Sequence, residues 1–277
     1  MSNGVELPPL EKPPDVIEGT GGGPAVPTGG GDGGKSEEDE QVITDASNTI
    51  TAAGGAIVVA GAAAAATGVG APAAPGMGVL GLAVALVGQI VGFLANDPPQ
   101  PFEHIVTFKR RVSPVPASSD PALMALGVAT QRSVFTLVTT QGYLDALERL
   151  AAAQDARDLN WAIAHHGVAL QCRPAFAVDM ATLAAALFAA AQSLKASQYD
   201  QALTPGGTAV KDWIDAPGVE RRLTAALENA GLTPAETQTA IDLGKANPVY
   251  TGSAASLSDE LTDSSQRLYG FAEQLLT

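Results

Sequence analysis

Between Asp45 and Asp97 the chain runs from Ala46 to Asn96, fifty-one residues, without an aspartate, glutamate, lysine or arginine. The run is divided by Ala71-Pro72-Ala73-Ala74-Pro75-Gly76. Pro72, Pro75 and Gly76 predict a turn, because proline fixes φ, lacks an N–H and biases the residue before it away from helix. On either side lie two apolar arms, Ile50 to Gly70 and Met77 to Ala95. A helix crossing a bilayer needs about 20 residues at about 1.5 Å each, so each arm has the length of a span. The pattern predicts a hydrophobic helical hairpin over residues 46–97.

The arms are unequal. Val79, Leu80, Leu82, Val84, Leu86, Val87, Ile90, Val91, Phe93 and Leu94 give the second arm ten strong apolar residues, about −3 to −6 kcal/mol of insertion free energy before its glycines and Gln89 oppose them. Among its alanines and glycines the first arm has Ile50, Ile57, Val58, Val59 and Val69, roughly half as much. It is expected to enter a bilayer only together with its partner. Glycine spacing supports such a partnership: Gly54, Gly61 and Gly68 recur every seven residues, as do Gly81 and Gly88, with Gly92 four further on. Seven residues is close to two helical turns, so each set forms a stripe on which two backbones approach closely.

Beyond the hairpin the pattern changes. His104 to Val112 is β-branched and aromatic without helical spacing, which predicts a short strand or an extended link. Lys109, Arg110 and Arg111 flank the second arm there and favour a cytoplasmic side for both ends of an ordinary inner-membrane hairpin. From Asp120-Pro121, an N-cap followed by proline at the first helical position, Leu123, Leu126, Val134, Leu137, Leu144 and Leu147 recur at helical spacing. Within that run the β-branched residues 133–140 leave a break or a strand open. A helix over Asp155 to Cys172 is expected to end at Arg173-Pro174. The stripe Phe176, Met180, Leu183, Leu187, Ala191 and Leu194 then marks a buried core helix. Pro205-Gly206-Gly207 predicts a turn, Thr233-Pro234-Ala235-Glu236 a capping box, and Asn247-Pro248 the end of that helix. Leu257, Leu261, Leu268, Phe271 and Leu275 line one side of a last amphipathic helix.

The fold class expected is therefore mainly α: a Gly/Ala-rich hydrophobic hairpin (46–97), a linker or short strand (98–119), and a C-terminal helical bundle (120–277). Residues 1–45, rich in proline and glycine and ending in the acidic Glu37-Glu38-Asp39-Glu40 cluster, are expected to form a disordered tail. Its composition reads first as a solvated tail and, in a functional reading, as a flexible tether or a docking segment for a carrier.

Composition narrows the function. A net charge of −14 and a pI near 4.5 exclude a nucleic-acid binder, whose phosphates this surface repels. Cys172 is the single cysteine, so no intramolecular disulfide forms. The N-terminus has neither a basic region nor an apolar run, so no signal peptide is expected, and export requires a non-classical route. His165 and His166 point about 100° apart on a helix, and His165 with Cys172 supplies only two ligands. No cofactor or metal is expected. The sequence has no HExxH, paired CxxC, Walker loop or G-x-S-x-G elbow, and carboxylates such as Asp155, Asp158, Asp259 and Glu260 read as solvated faces, so no enzyme is expected.

A polar helical bundle joined to a Gly/Ala-rich hydrophobic hairpin resembles, in architecture, the bacterial α-helical pore-forming toxins and effectors, which conceal such a hairpin until they meet a membrane. The resemblance implies a chain that is made in the cytoplasm, partners with a lipid bilayer, forms homo-oligomers through its glycine stripes, and is escorted by a carrier, chaperone or immunity protein. The alternative is a scaffold anchored permanently by its hairpin, with residues 120–277 binding a protein partner.

Overall fold

In the computed structural model the described residues are 37–67, 81, 83–85, 87, 88, 91, 120–201, 211, 215, 218–229, 232–246 and 256–277. They hold six α-helices and no strand: α1 (Glu37–Thr67), α2 (Pro121–Asp155), α3 (Leu159–Ser197), α4 (Val219–Asn229), α5 (Pro234–Ala246) and α6 (Leu257–Leu276), with a 3₁₀ turn at Tyr199–Gln201 after α3. The fold is mainly α. The tail before Glu37 and the segment 98–119 lie outside the described residues, as do the turns at 205–207 and 247–248.

The first helix starts nine residues before the uncharged stretch. Its first turn takes in Glu37 to Glu40, which were expected in the tail; carboxylates there complement the positive end of the helix dipole. The centre of the architecture is the pair α2 and α3, joined by the three-residue turn 156–158 and packed along their length. Asp120 caps α2 by accepting from the Ala122 N–H at 2.9 Å, with Pro121 at the first position, and Asp158 caps α3 by accepting from the Trp161 N–H at 3.1 Å. Helix α6 packs on α3, α1 packs on α6, and α4 pairs with α5.

Neither the break left open at 133–140 nor the helix end expected at Arg173-Pro174 is present. Residues 133–140 are helical throughout: Thr130, Ser133, Thr136, Thr139 and Thr140 donate their hydroxyls back to carbonyls three or four residues earlier, so β-branched polar side chains fit inside a helix. Pro174 does not end the third helix either, which continues through it to Ser197. Proline deprives the Leu170 carbonyl of its donor. Leu170 and Pro174 are both exposed, so water can reach that carbonyl. Ala169, Phe176, Ala177 and Met180 hold the opposite face in the core on either side of the proline.

Two further expectations for the bundle hold, while Asp155, expected to open a helix, instead closes α2. Thr233 and Glu236 form the reciprocal capping box: the Thr233 N–H and hydroxyl donate to Glu236 Oε2 at 2.7 and 2.8 Å, and the Glu236 N–H donates to Thr233 Oγ1. Leu257, Leu261, Leu268 and Leu275 are buried along α6, and Phe271 packs beside them.

Candidate functional site: the buried hairpin

Helix α1 is buried on nearly every side. Ile43, Ile50 and Ile57, two turns apart, are fully buried, and every residue from Ala53 to Ala60 is buried. A helix that is apolar and covered all round belongs in a core or in a membrane. Each fully buried isoleucine contributes about 1.5–3 kcal/mol by leaving water. These residues, with Val84, Val87 and Val91 of the second arm, belong to the same hydrophobic core as Leu126, Leu137, Phe176, Met180 and Leu268. Hairpin and bundle, expected as separate domains, share one interior.

The two arms meet along small residues. Gly81, residues 83–85, Val87, Gly88 and Val91 are helical. A Cβ placed on Gly54 would lie 2.5 Å from the Ala85 Cα; on Gly81, 2.8 Å from the Gly54 carbonyl oxygen; on Gly88, 2.8 Å from the Ser47 carbonyl oxygen. No side chain fits at any of the three. Moving along α1 from Thr51 to Gly54 to Val58, the facing residues are Gly88, Ala85 and Gly81, the same steps of three and four in the reverse direction. The arms are antiparallel and keep one register.

Hydroxyls complete the contact. Ser47 Oγ donates to the Gly88 carbonyl across the interface at 2.6 Å, while Thr51 and Thr49 donate to the Ser47 and Asp45 carbonyls of their own helix at 2.8 Å each. The buried hydroxyls of this segment are therefore satisfied by α1 and its partner arm alone. That arrangement holds in a medium without water, where an unmade hydrogen bond costs several kcal/mol.

Of the residues singled out in the sequence, Gly54, Gly81 and Gly88 are brought together at this contact, and Gly61 lies within α1. Gly68, Gly92, Pro72, Pro75, Gly76, Lys109, Arg110 and Arg111 lie outside the described residues. Sequence reasoning missed Ser47, Thr51 and Ala85, which belong to the same stripes. Their signal was small size at spacings of three, four and seven from the chosen glycines.

Other candidate chemistry is dispersed. His165 is buried and stacks on Trp161 with ring centroids 4.9 Å apart, and Asp158 is occupied as a helix cap. Among the described residues no three histidines, cysteines or carboxylates gather in a way that holds a metal ion. A cavity of about 530 Å³ lies where the start of α1, the middle of α3 and the end of α6 meet, and its lining includes Glu38, Gln41, Arg173 and Gln274.

Among the described residues three helices are long and apolar enough to cross a membrane by length and composition: α1 over Gln41–Ala60, α2 and α3. Comparison of the chain with protein-family models, with curated proteins and with solved structures gives no match.

Proposed function

We propose that this chain is a membrane-inserting, pore-forming protein of the bacterial toxin or effector type, which carries its hairpin inside a folded bundle and transfers it to a bilayer. The observation that carries the reading is α1 itself. A helix with the composition of a membrane span is buried on nearly all sides, and it is bonded to its partner arm by contacts that need nothing from the rest of the bundle. Such a hairpin leaves as a unit with its polar groups already paired, and the bilayer replaces the apolar surroundings that the bundle supplied. Glycine stripes then serve packing between hairpins in an oligomer, with a carrier, chaperone or immunity protein covering the chain before insertion.

Asn48 separates folding from insertion. It is exposed in the bundle although it lies within the apolar part of α1. Asn48→Asp therefore leaves the fold within about 0.5 kcal/mol, yet adds a second charge, beside Asp45, to the apolar stretch Gln41–Ala60 at up to about 2.5–3.5 kcal/mol. Dye release from liposomes by the wild type, and its suppression in Asn48→Asp with unchanged melting, is the expected result. No release by the wild type at any pH or lipid composition would sink the proposal. Stable membrane residence from synthesis without leakage would favour the anchored scaffold instead.

A further inference from the structure

Helix α3 carries an outward face of unusual chemistry. From Leu159 to Gln192, about 50 Å of helix, no exposed residue is an aspartate, glutamate, lysine or arginine; Lys195 is the first. The two formal charges within this length, Arg173 and Asp179, are half-buried. Leu159, Ile163, Leu170, Val178 and Phe188 all stand on the exposed side, between 46% and 66% exposed. At 100° per residue they fall within about 100° of arc, a single stripe opposite the buried Phe176, Met180, Leu183 and Leu187. The helix is thus apolar on both faces, one turned to the core and one to the outside.

We infer that this outer face of α3 is the surface by which the folded bundle docks on a bilayer, and that it takes uncharged lipid rather than anionic headgroups. Three observations select lipid. With no exposed lysine or arginine for over thirty residues the face has little to attract anionic headgroups on a chain of net charge −14. Its large side chains are seven, eight and ten residues apart from Ile163 onward, whereas a helix of a second copy would require knobs at alternating steps of three and four. A fluid acyl layer needs no such register. The helix also has the composition of a membrane span while half of it lies outside the core. The bundle behind α3 takes the place of the charged face that an isolated interfacial helix would have.

This inference rests on the membrane reading above, and one experiment separates the two. The full chain is floated with phosphatidylcholine vesicles, with and without phosphatidylglycerol, at low and high salt, and dye release is read in parallel. The variant is Leu170→Glu with Val178→Glu. A control of equal charge, Gln266→Glu with Gln274→Glu, sits on exposed positions of α6. Partitioning of the α3 variant is expected to fall by about tenfold or more, with its helicity and melting unchanged. The control should bind like the wild type, and added phosphatidylglycerol or salt should shift binding by less than about twofold. Undiminished vesicle binding by the α3 variant, binding that requires anionic lipid, or loss of self-association with vesicle binding intact would each overturn the docking face. Dye release that persists undiminished in the α3 variant overturns docking and leaves the function standing. Vesicle binding sensitive to the α3 variant without release by the wild type overturns the function and leaves docking standing.

Discussion

Helices α1 and α3 have similar compositions and opposite circumstances. Both qualify by length and apolarity as membrane spans, but 72% of the qualifying window is buried in α1 and 50% in α3. In α1 the apolar residues are packed at backbone distance by Gly54, Gly81 and Gly88. In α3 one stripe is packed with similar completeness and the other is largely exposed. Hydropathy alone therefore does not separate a helix stored in a core from one turned outward. What separates them is whether the small residues form a stripe that a second backbone can fill.

The contrast can be tested from its largest effect downward. Gly88→Leu forces a side chain into the backbone of Thr51 and Ser47 and is expected to cost about 3 kcal/mol or more, read as a lower midpoint in urea. Gly142 and Gly167, on α2 and α3, have nothing within 4 Å of an added Cβ; alanine at either should instead stabilise by about 0.5–1 kcal/mol. A loss at those positions equal to that at Gly88 would erase the distinction. Ile57→Ala in α1 should cost about 2–5 kcal/mol, whereas Leu170→Ala on the outer face of α3 should stay within about 0.5 kcal/mol.

Tyr199 tests what ties the far end of α3 to the start of α2. Its hydroxyl donates to the Asp120 carboxylate. Burial first, then that hydrogen bond and the negative charge of Asp120, push its pKa up to about 12 from 10.0. Because the folded value is raised, the contribution is complete below pH 10 and disappears as the pH climbs toward 12. Tyr199→Phe should remove about 1.5–3 kcal/mol at neutral pH, and wild type and variant should draw together in denaturation midpoint only as the pH approaches about 12. Smaller than the Tyr199 effect is Ser47→Ala, about 1 kcal/mol, since the Gly88 carbonyl loses only its bond across the hairpin.

Much of the fold was legible because the signals were local. Asp120-Pro121, Thr233 with Glu236, and the leucines of α6 each act within one or two turns of helix, and all three occur as their spacing predicts. The misplaced boundaries share a different cause. Pro174 and the β-branched run 133–140 are unfavourable to helix locally, but residues far away in sequence pay for them: Thr136 lies against Asp179, and Tyr143 stacks on Phe176 with centroids 6.2 Å apart. The candidate site was half legible. Glycine periodicity indicated close helix packing, yet not that the bundle itself encloses α1, which depends on contacts between α1 and α6 at opposite ends of the chain.

That last pairing has a consequence in time. Apart from its own partner arm, the described helix that packs most on α1 is α6, about two hundred residues later. At about 5–20 residues per second of synthesis, the apolar face of α1 leaves the ribosome roughly 10–40 s before its cover exists. During that interval the segment most prone to aggregate or to enter the nearest bilayer has no shelter within its own chain but its partner arm. The order of the helices makes α1 the first to be born and the last to be closed in.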